Sequence, residues 1–197
     1  SLALSIITLV SVFAPAVSVS ADEQNNAPTV DTPTAVVSDS YNKYVSANKN
    51  FTPADKDVEL NAENATFDED ISIEENRMGE TALVWKDGTG KAEWVFEVQE
   101  DAYYNIKLIY SSVTTGVDYS FGILIDGKAP FDEASSLSFP RIWKNVSNKV
   151  KLDDIGNQLT PEQTEVDGYV ESFAKSITGV TVDPYAFYFT KGAHSIT

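Results

Sequence analysis

From Val58 onward the apolar residues of this chain recur mostly with period two, in short runs separated by glycine-bearing turns. Val58-Glu59-Leu60-Asn61-Ala62 alternates, and so does Ile71-Ser72-Ile73. Trp94, Phe96 and Val98 alternate with Glu93, Val95 and Glu97. Tyr104, Ile106, Leu108 and Tyr110 share one side of a further run, and Tyr119, Phe121, Ile123 and Ile125 share one side of the next. Tyr185, Phe187 and Phe189 repeat the pattern near the end. In a strand, successive side chains point to opposite faces, so this spacing builds half-buried strands. Aromatic and β-branched residues, which suit a pleated surface, fill the apolar positions. Asp87-Gly88-Thr89-Gly90, Asp126-Gly127-Lys128 and Lys191-Gly192 supply the residues that accept positive φ in tight turns. Many short strands with little helix predict an all-β, antiparallel β-sandwich.

Two segments depart from that pattern. Tyr41-Asn42-Lys43-Tyr44-Val45 reads as an amphipathic, short helical stub. Thr160-Pro161-Glu162-Gln163 carries helix-start chemistry, but Asp167-Gly168 interrupts it, which predicts a single helical turn or an ordered loop. Residues 22–40 are rich in Pro, Thr, Ala, Asn, Val and Asp and read as a linker. The expected organisation is residues 1–21 as a leader, 22–54 as a linker with the helical stub, and 55–197 as the β-sandwich module.

The leader reading rests on charge and length. Residues 1–21 carry no charge, and the apolar stretch from Leu2 to Phe13 is too short to span a bilayer as a helix. Pro15 closes it, and Val19-Ser20-Ala21 supplies the small residues a signal peptidase requires. The expectation is cleavage after Ala21, leaving Asp22 first. With no initiator Met and no basic start, the sequence is expected to begin inside a longer precursor. With no Cys after the cut, a lipid anchor at the mature N-terminus is not expected.

Composition removes several function classes. The 197 residues hold 30 Asp and Glu against 14 Lys and Arg, a formal net charge of −16. Such a chain lacks the basic face that nucleic acid or an anionic membrane surface needs, so neither is expected as a partner, and no membrane insertion is expected after leader removal. The absence of Cys excludes disulfides, thiolate metal sites and a cysteine nucleophile. A single histidine, His194, leaves no basis for a multi-histidine metal site, and it reads as a turn or packing residue. No Gly-x-Ser-x-Gly elbow, P-loop or His-Glu-x-x-His occurs, so the chain is read as non-catalytic.

Several stretches carry a resemblance. Val58-Glu59-Leu60-Asn61-Ala62-Glu63-Asn64-Ala65 resembles the opening strand of family 6 and family 35 carbohydrate-binding modules, which are jelly-roll, galactose-binding-like domains. Ala92 to Val98 followed by Glu100 to Ile106 is similar to their strand–turn–strand, and Gly192-Ala193-His194-Ser195-Ile196 resembles their closing strand. Over roughly residues 41–197 the chain also resembles the N-terminal module of large extracellular solute-binding proteins of Gram-positive carbohydrate ABC transporters. Leu124 to Phe131, Phe139-Pro140-Arg141-Ile142-Trp143, Asp183 to Phe189 and the Tyr41–Tyr44 stub carry that likeness. The resemblance implies a secreted module at the bacterial cell surface. It would bind a glycan or oligosaccharide beside a downstream solute-binding domain of the same polypeptide, lying beyond Thr197. The alternatives are a binding module of a secreted polysaccharide-degrading enzyme and a purely structural spacer.

Sugar recognition needs an aromatic face for a pyranose ring and planar polar groups for its hydroxyls. Trp94 falls on the core side of its strand, whereas Trp85 precedes a turn and reads as loop-exposed. Arg141 and Trp143 sit close enough to form a polar-plus-stacking pair; alternatively Phe139, Ile142 and Trp143 plug one end of the sandwich while Arg141 bonds loop carbonyls. Tyr169 and Tyr185 complete the candidate ligand-binding set. No cofactor is required, but the resemblance implies a structural Ca²⁺ beside the opening strand, with Glu63, Asp68 and Asp70 as candidate oxygen ligands.

Overall fold

The computed structural model describes residues 2–10, 40–86, 88–112, 119–166, 168–176 and 183–197. In chain order the elements are β1 (Leu2–Val10), the helix α1 (Ser40–Ala47), β2 (Thr52–Pro53), β3 (Val58–Asn61) and β4 (Thr66–Phe67). There follow β5 (Ile71–Arg77), β6 (Glu80–Trp85), β7 (Ala92–Val98), β8 (Ala102–Ser112), β9 (Tyr119–Phe121) and β10 (Leu137–Phe139). The last are β11 (Trp143–Asn145), β12 (Gln163–Glu165), β13 (Tyr169–Phe173), β14 (Ala186–Phe189) and β15 (Gly192–Ile196). Short 3₁₀ turns cover Ala62–Asn64 and Asp132–Ser135.

Over the described residues the protein is all-β with sheets that are antiparallel except where β2 runs parallel to β8, and with one short α-helix, in a sandwich-like arrangement. The main sheet has eight strands, with the path β13-β8-β1-β6-β5; β14 and β2 also join β8, and β3 joins β1. A three-stranded sheet, β15-β7-β4, supplies a second layer. The two layers meet through the alternating residues. Trp94, Phe96 and Val98 of β7 are buried, and so are Tyr104, Ile106, Leu108 and Tyr110 of β8. Phe96 meets Phe189 edge-on at 5.5 Å across that interface. The turn expected at Asp126-Gly127 forms, with φ of 50° and 75°, and Ile125 pairs with Lys128 across it. Both φ values are positive, the geometry that twists a two-residue hairpin correctly.

Helix α1 closes an edge of the main sheet. The N–H groups of Ala186 and Tyr188 on β14 donate to the hydroxyls of Tyr41 and Tyr44, each at 2.9 Å. Residues three apart on a helix share a face, and alternate residues of a strand point their N–H groups the same way. The Tyr-x-x-Tyr spacing therefore matches two consecutive donors of a sheet edge. The stub belongs to the folded unit, so its lower boundary precedes residue 55.

Two further placements differ from the sequence reading. Gln163–Glu165 forms strand β12 against β11 where a helical turn or loop is expected. The partner strand satisfies the backbone more fully than an isolated turn. The apolar stretch read as part of a leader also takes a strand position: Leu2–Val10 runs between β8 on one side and β6 and β3 on the other. An uncharged segment rich in Ile, Leu, Thr and Val satisfies both descriptions, because the composition of a leader core is also that of a fully buried strand. The rest of the leader and linker, including Val19-Ser20-Ala21, lies outside the described residues.

Candidate functional site

Of the three tryptophans, Trp143 is the one that the fold leaves open. It begins β11, directly opposite Glu165 on β12, and is 49% exposed. The guanidinium of Arg141 lies 4.8 Å from the centre of its ring. The same guanidinium is held by Glu165 through two contacts, Nε to Oε1 at 2.9 Å and Nη2 to Oε2. Such a two-point pair fixes both position and plane. The Arg141 and Glu165 side chains are only 8% and 11% exposed. Glu165 thus holds Arg141, and Arg141 supports the indole, which is a rigid arrangement for a ring that faces solvent.

This geometry separates the alternatives left open by the sequence. Phe139 is fully buried, meets Phe121 and Tyr110 edge-on, and does plug the core. Ile142 and Trp143 are exposed and do not. Arg141 pairs with the Glu165 carboxylate, and its near-complete burial makes it a support for Trp143 more than a donor to a ligand. Glu165 was not among the residues singled out by sequence. Its pairing with Arg141 depends on the β11–β12 register, which no local spacing encodes.

The other aromatic candidates lie elsewhere. Trp85 ends β6 and is 6% exposed, packing edge-on against Phe121 while its Nε1 donates to the Gly90 carbonyl at 3.4 Å. The expected loop exposure is absent, because β6 continues up to the turn and carries Trp85 into the core. Tyr185 is 4% exposed, between Tyr41 and Phe131. Its ring is therefore core, not a sugar platform. Tyr169 on β13 is partly buried, and its hydroxyl donates to the Arg77 carbonyl at 3.2 Å. It packs against Ala82 and Val84. Trp94 is buried as expected, and its Nε1 donates to the Asn61 carbonyl.

The acidic candidates do not converge. Glu63 is exposed on the first 3₁₀ turn. The Asp68 carboxylate accepts the Lys91 N–H at 2.9 Å, which makes it a turn-forming group. Asp70 is exposed, and its backbone carbonyl accepts the Lys86 N–H. Among the described residues no three Asp, Glu or His side chains gather as a metal would require.

His194 has a structural assignment. Its Nδ1 lies 2.7 Å from Asp126 Oδ2, and its Nε2 lies 2.8 Å from the Thr190 carbonyl. Asp126 Oδ1 also accepts the Ser195 N–H at 2.9 Å. Burial raises the Asp126 pKa, but the Ser195 N–H and His194 outweigh it and leave the carboxyl below its ordinary value. A lowered carboxyl stabilises the fold above its unfolded-state pKa and loses that contribution as pH falls through the folded value. We therefore expect Asp126 to contribute at neutral pH and to cease contributing in acid below the ordinary carboxylate range. Asp126→Ala should cost about 1–2 kcal/mol in urea unfolding, since alanine resists the left-handed backbone and loses both contacts. Asp126→Asn should cost less, because asparagine tolerates positive φ. Equal losses for the two variants would refute this account.

Comparison with protein-family models, curated proteins and solved structures finds no match for this chain.

Proposed function

We propose that this chain is a non-catalytic, extracellular carbohydrate-recognition module of jelly-roll type, serving a bacterial solute-binding protein for sugar import. The observation that carries this reading is Trp143: a half-exposed indole, stacked on Arg141 that Glu165 holds in place. Sugar rings bind the apolar faces of such aromatics, and a platform fixed in advance loses little entropy on binding. The resemblance of the opening and closing strands to carbohydrate-binding modules points the same way. The calcium expectation has only that resemblance behind it; melting in millimolar Ca²⁺ against chelator checks it through mass action on the native state.

A second reading, a structural domain that packs on a further domain of the same polypeptide, draws on the same hairpin. Val146, Val150, Leu152, Ile155 and Leu159 are all exposed between β11 and the start of β12. Apolar residues gathered on one projecting segment suit a docking surface.

Retention on a panel of immobilised polysaccharides separates the two. Weak binding, roughly micromolar to millimolar, is expected of a single aromatic platform. Trp143→Ala should abolish retention while leaving the melting temperature within about a degree, because an exposed side chain contributes little to stability. Binding that persists in Trp143→Ala would move the site elsewhere. A wild-type protein that binds no glycan would leave the docking reading in its place.

A further inference from the structure

Strand β1 lies inside the main sheet rather than at its edge. It pairs with β8 from Asn105 to Ser112, and on its other side with Leu83–Trp85 of β6 and Val58–Asn61 of β3. Among the described strands it alone joins β8 to β6 and β3. Its only covalent link to the remainder is residues 11–39, and the small-residue triplet Val19-Ser20-Ala21 lies inside that link. A cut there severs β1 from the chain but leaves the slot. The exposed slot would present two rows of backbone donors and acceptors above a buried apolar layer that includes Ile106, Leu108 and Tyr110. Unpaired buried backbone groups are costly, and an open edge of this kind templates another strand.

We infer that the channel between β8 and the β6/β3 edge is a strand-acceptor site. After processing it takes an uncharged extended segment of about nine residues from a second polypeptide, laid antiparallel to β8. This inference rests on the export reading, because only removal of the leader vacates the slot. The present occupant states the chemistry of the partner: Leu2–Val10 has nine residues and no charge. Recognition by strand addition draws its affinity from main-chain hydrogen bonds and its specificity from alternate side chains. One position adds a preference. Ser111 is fully buried, its hydroxyl has no partner among the described residues, and its register partner on β1 is Ala3. Directly opposed residues in an antiparallel pair lie within side-chain reach. A donor strand with a hydroxyl at the place of Ala3 would meet that group, so serine there should be preferred over alanine.

The test keeps the whole chain. A protease site is placed within residues 22–39, the folded protein is nicked, and the nicked chains are refolded from urea with excess fluorescent peptide of sequence Ser1 to Val10. The inference expects one labelled peptide per protein by gel filtration. It expects no uptake of an Ile7→Pro peptide, because Ile7 pairs on both sides and proline removes an N–H from that ladder. It also expects an Ala3→Ser peptide to outcompete the parent. Recovery of the native melting temperature without peptide uptake overturns the inference, and so does aggregation that the peptide fails to prevent. Uptake of the Ile7→Pro peptide as readily as the parent overturns it too, since binding would then be nonspecific. N-terminal sequencing of the exported protein tests the export reading separately. A chain still beginning at Ser1 would show that β1 is retained, whatever the nicked protein takes up.

Discussion

Replacing Phe189 with alanine should destabilise the protein by about 3–5 kcal/mol, the range for deleting a buried aromatic ring. Phe189 ends β14, is 1% exposed, and contacts both layers. Its ring meets Phe96 of β7 at 5.5 Å, Tyr104 of β8 at 5.8 Å and His194 of β15 at 5.3 Å. The neighbours come from three different strands held by their own ladders, so the cavity left by alanine collapses only in part. A loss of that size is a large fraction of the roughly 5–15 kcal/mol that stabilises a typical domain. Urea unfolding followed by tryptophan fluorescence measures it. A loss below about 1 kcal/mol would mean that the layers do not meet through this ring.

The second large effect is expected at the helix–sheet contact. Tyr41→Phe and Tyr44→Phe keep the packing of both rings but remove the acceptors for the Ala186 and Tyr188 N–H groups. A buried donor left unpaired costs about 1–3 kcal/mol, so the double variant should lose the larger part of the α1 contact. The same tyrosines make a pH prediction. Burial, partly opposed by the backbone N–H bonds, pushes both hydroxyls up from 10.0 to about 12. A group whose folded pKa is raised contributes fully below its unfolded value and loses that contribution as pH rises through the folded one. Wild type should therefore weaken between about pH 10 and 12. The double phenylalanine variant should be less stable at neutral pH but show a shallower alkaline decline. Burial also raises Tyr104, Tyr169, Tyr185 and Tyr188, so part of the decline should persist. Identical alkaline slopes in wild type and variant would contradict the burial of these hydroxyls.

The sequence by itself determined the elements that are buried on one face. In β7 the apolar side chains alternate with exposed or partly covered ones, and in β8 they alternate with polar or partly covered ones, Asn105 and Ser111 being buried, so period two is visible and both strands were legible, with Trp94 correctly placed inside. The Asp126-Gly127 turn was legible because its positive φ angles restrict the residue types. Strand β6 was not. Ala82, Leu83, Val84 and Trp85 are all buried, the first and third of them beneath Tyr169 on the opposite face. A strand covered on both faces loses its alternation, which is why Trp85 read as a loop residue. The hairpin between β5 and β6 was hidden too, since it turns at Met78-Gly79 with φ of 53° and 93°, and methionine seldom occupies that conformation.

Tertiary structure alone decided the site. The sequence offered Arg141 and Trp143 as neighbours, but burial of the guanidinium comes from Glu165, which only strand pairing brings opposite. The same holds for Tyr41 and Tyr44, whose partners lie more than a hundred residues away on β14. It holds most strongly for Leu2–Val10. Composition states that the segment is apolar and uncharged, and that description fits a leader core and a central strand equally. Local sequence sets the preference of a segment for extended backbone, whereas the open edges of β8, β6 and β3 decide where that backbone is paired.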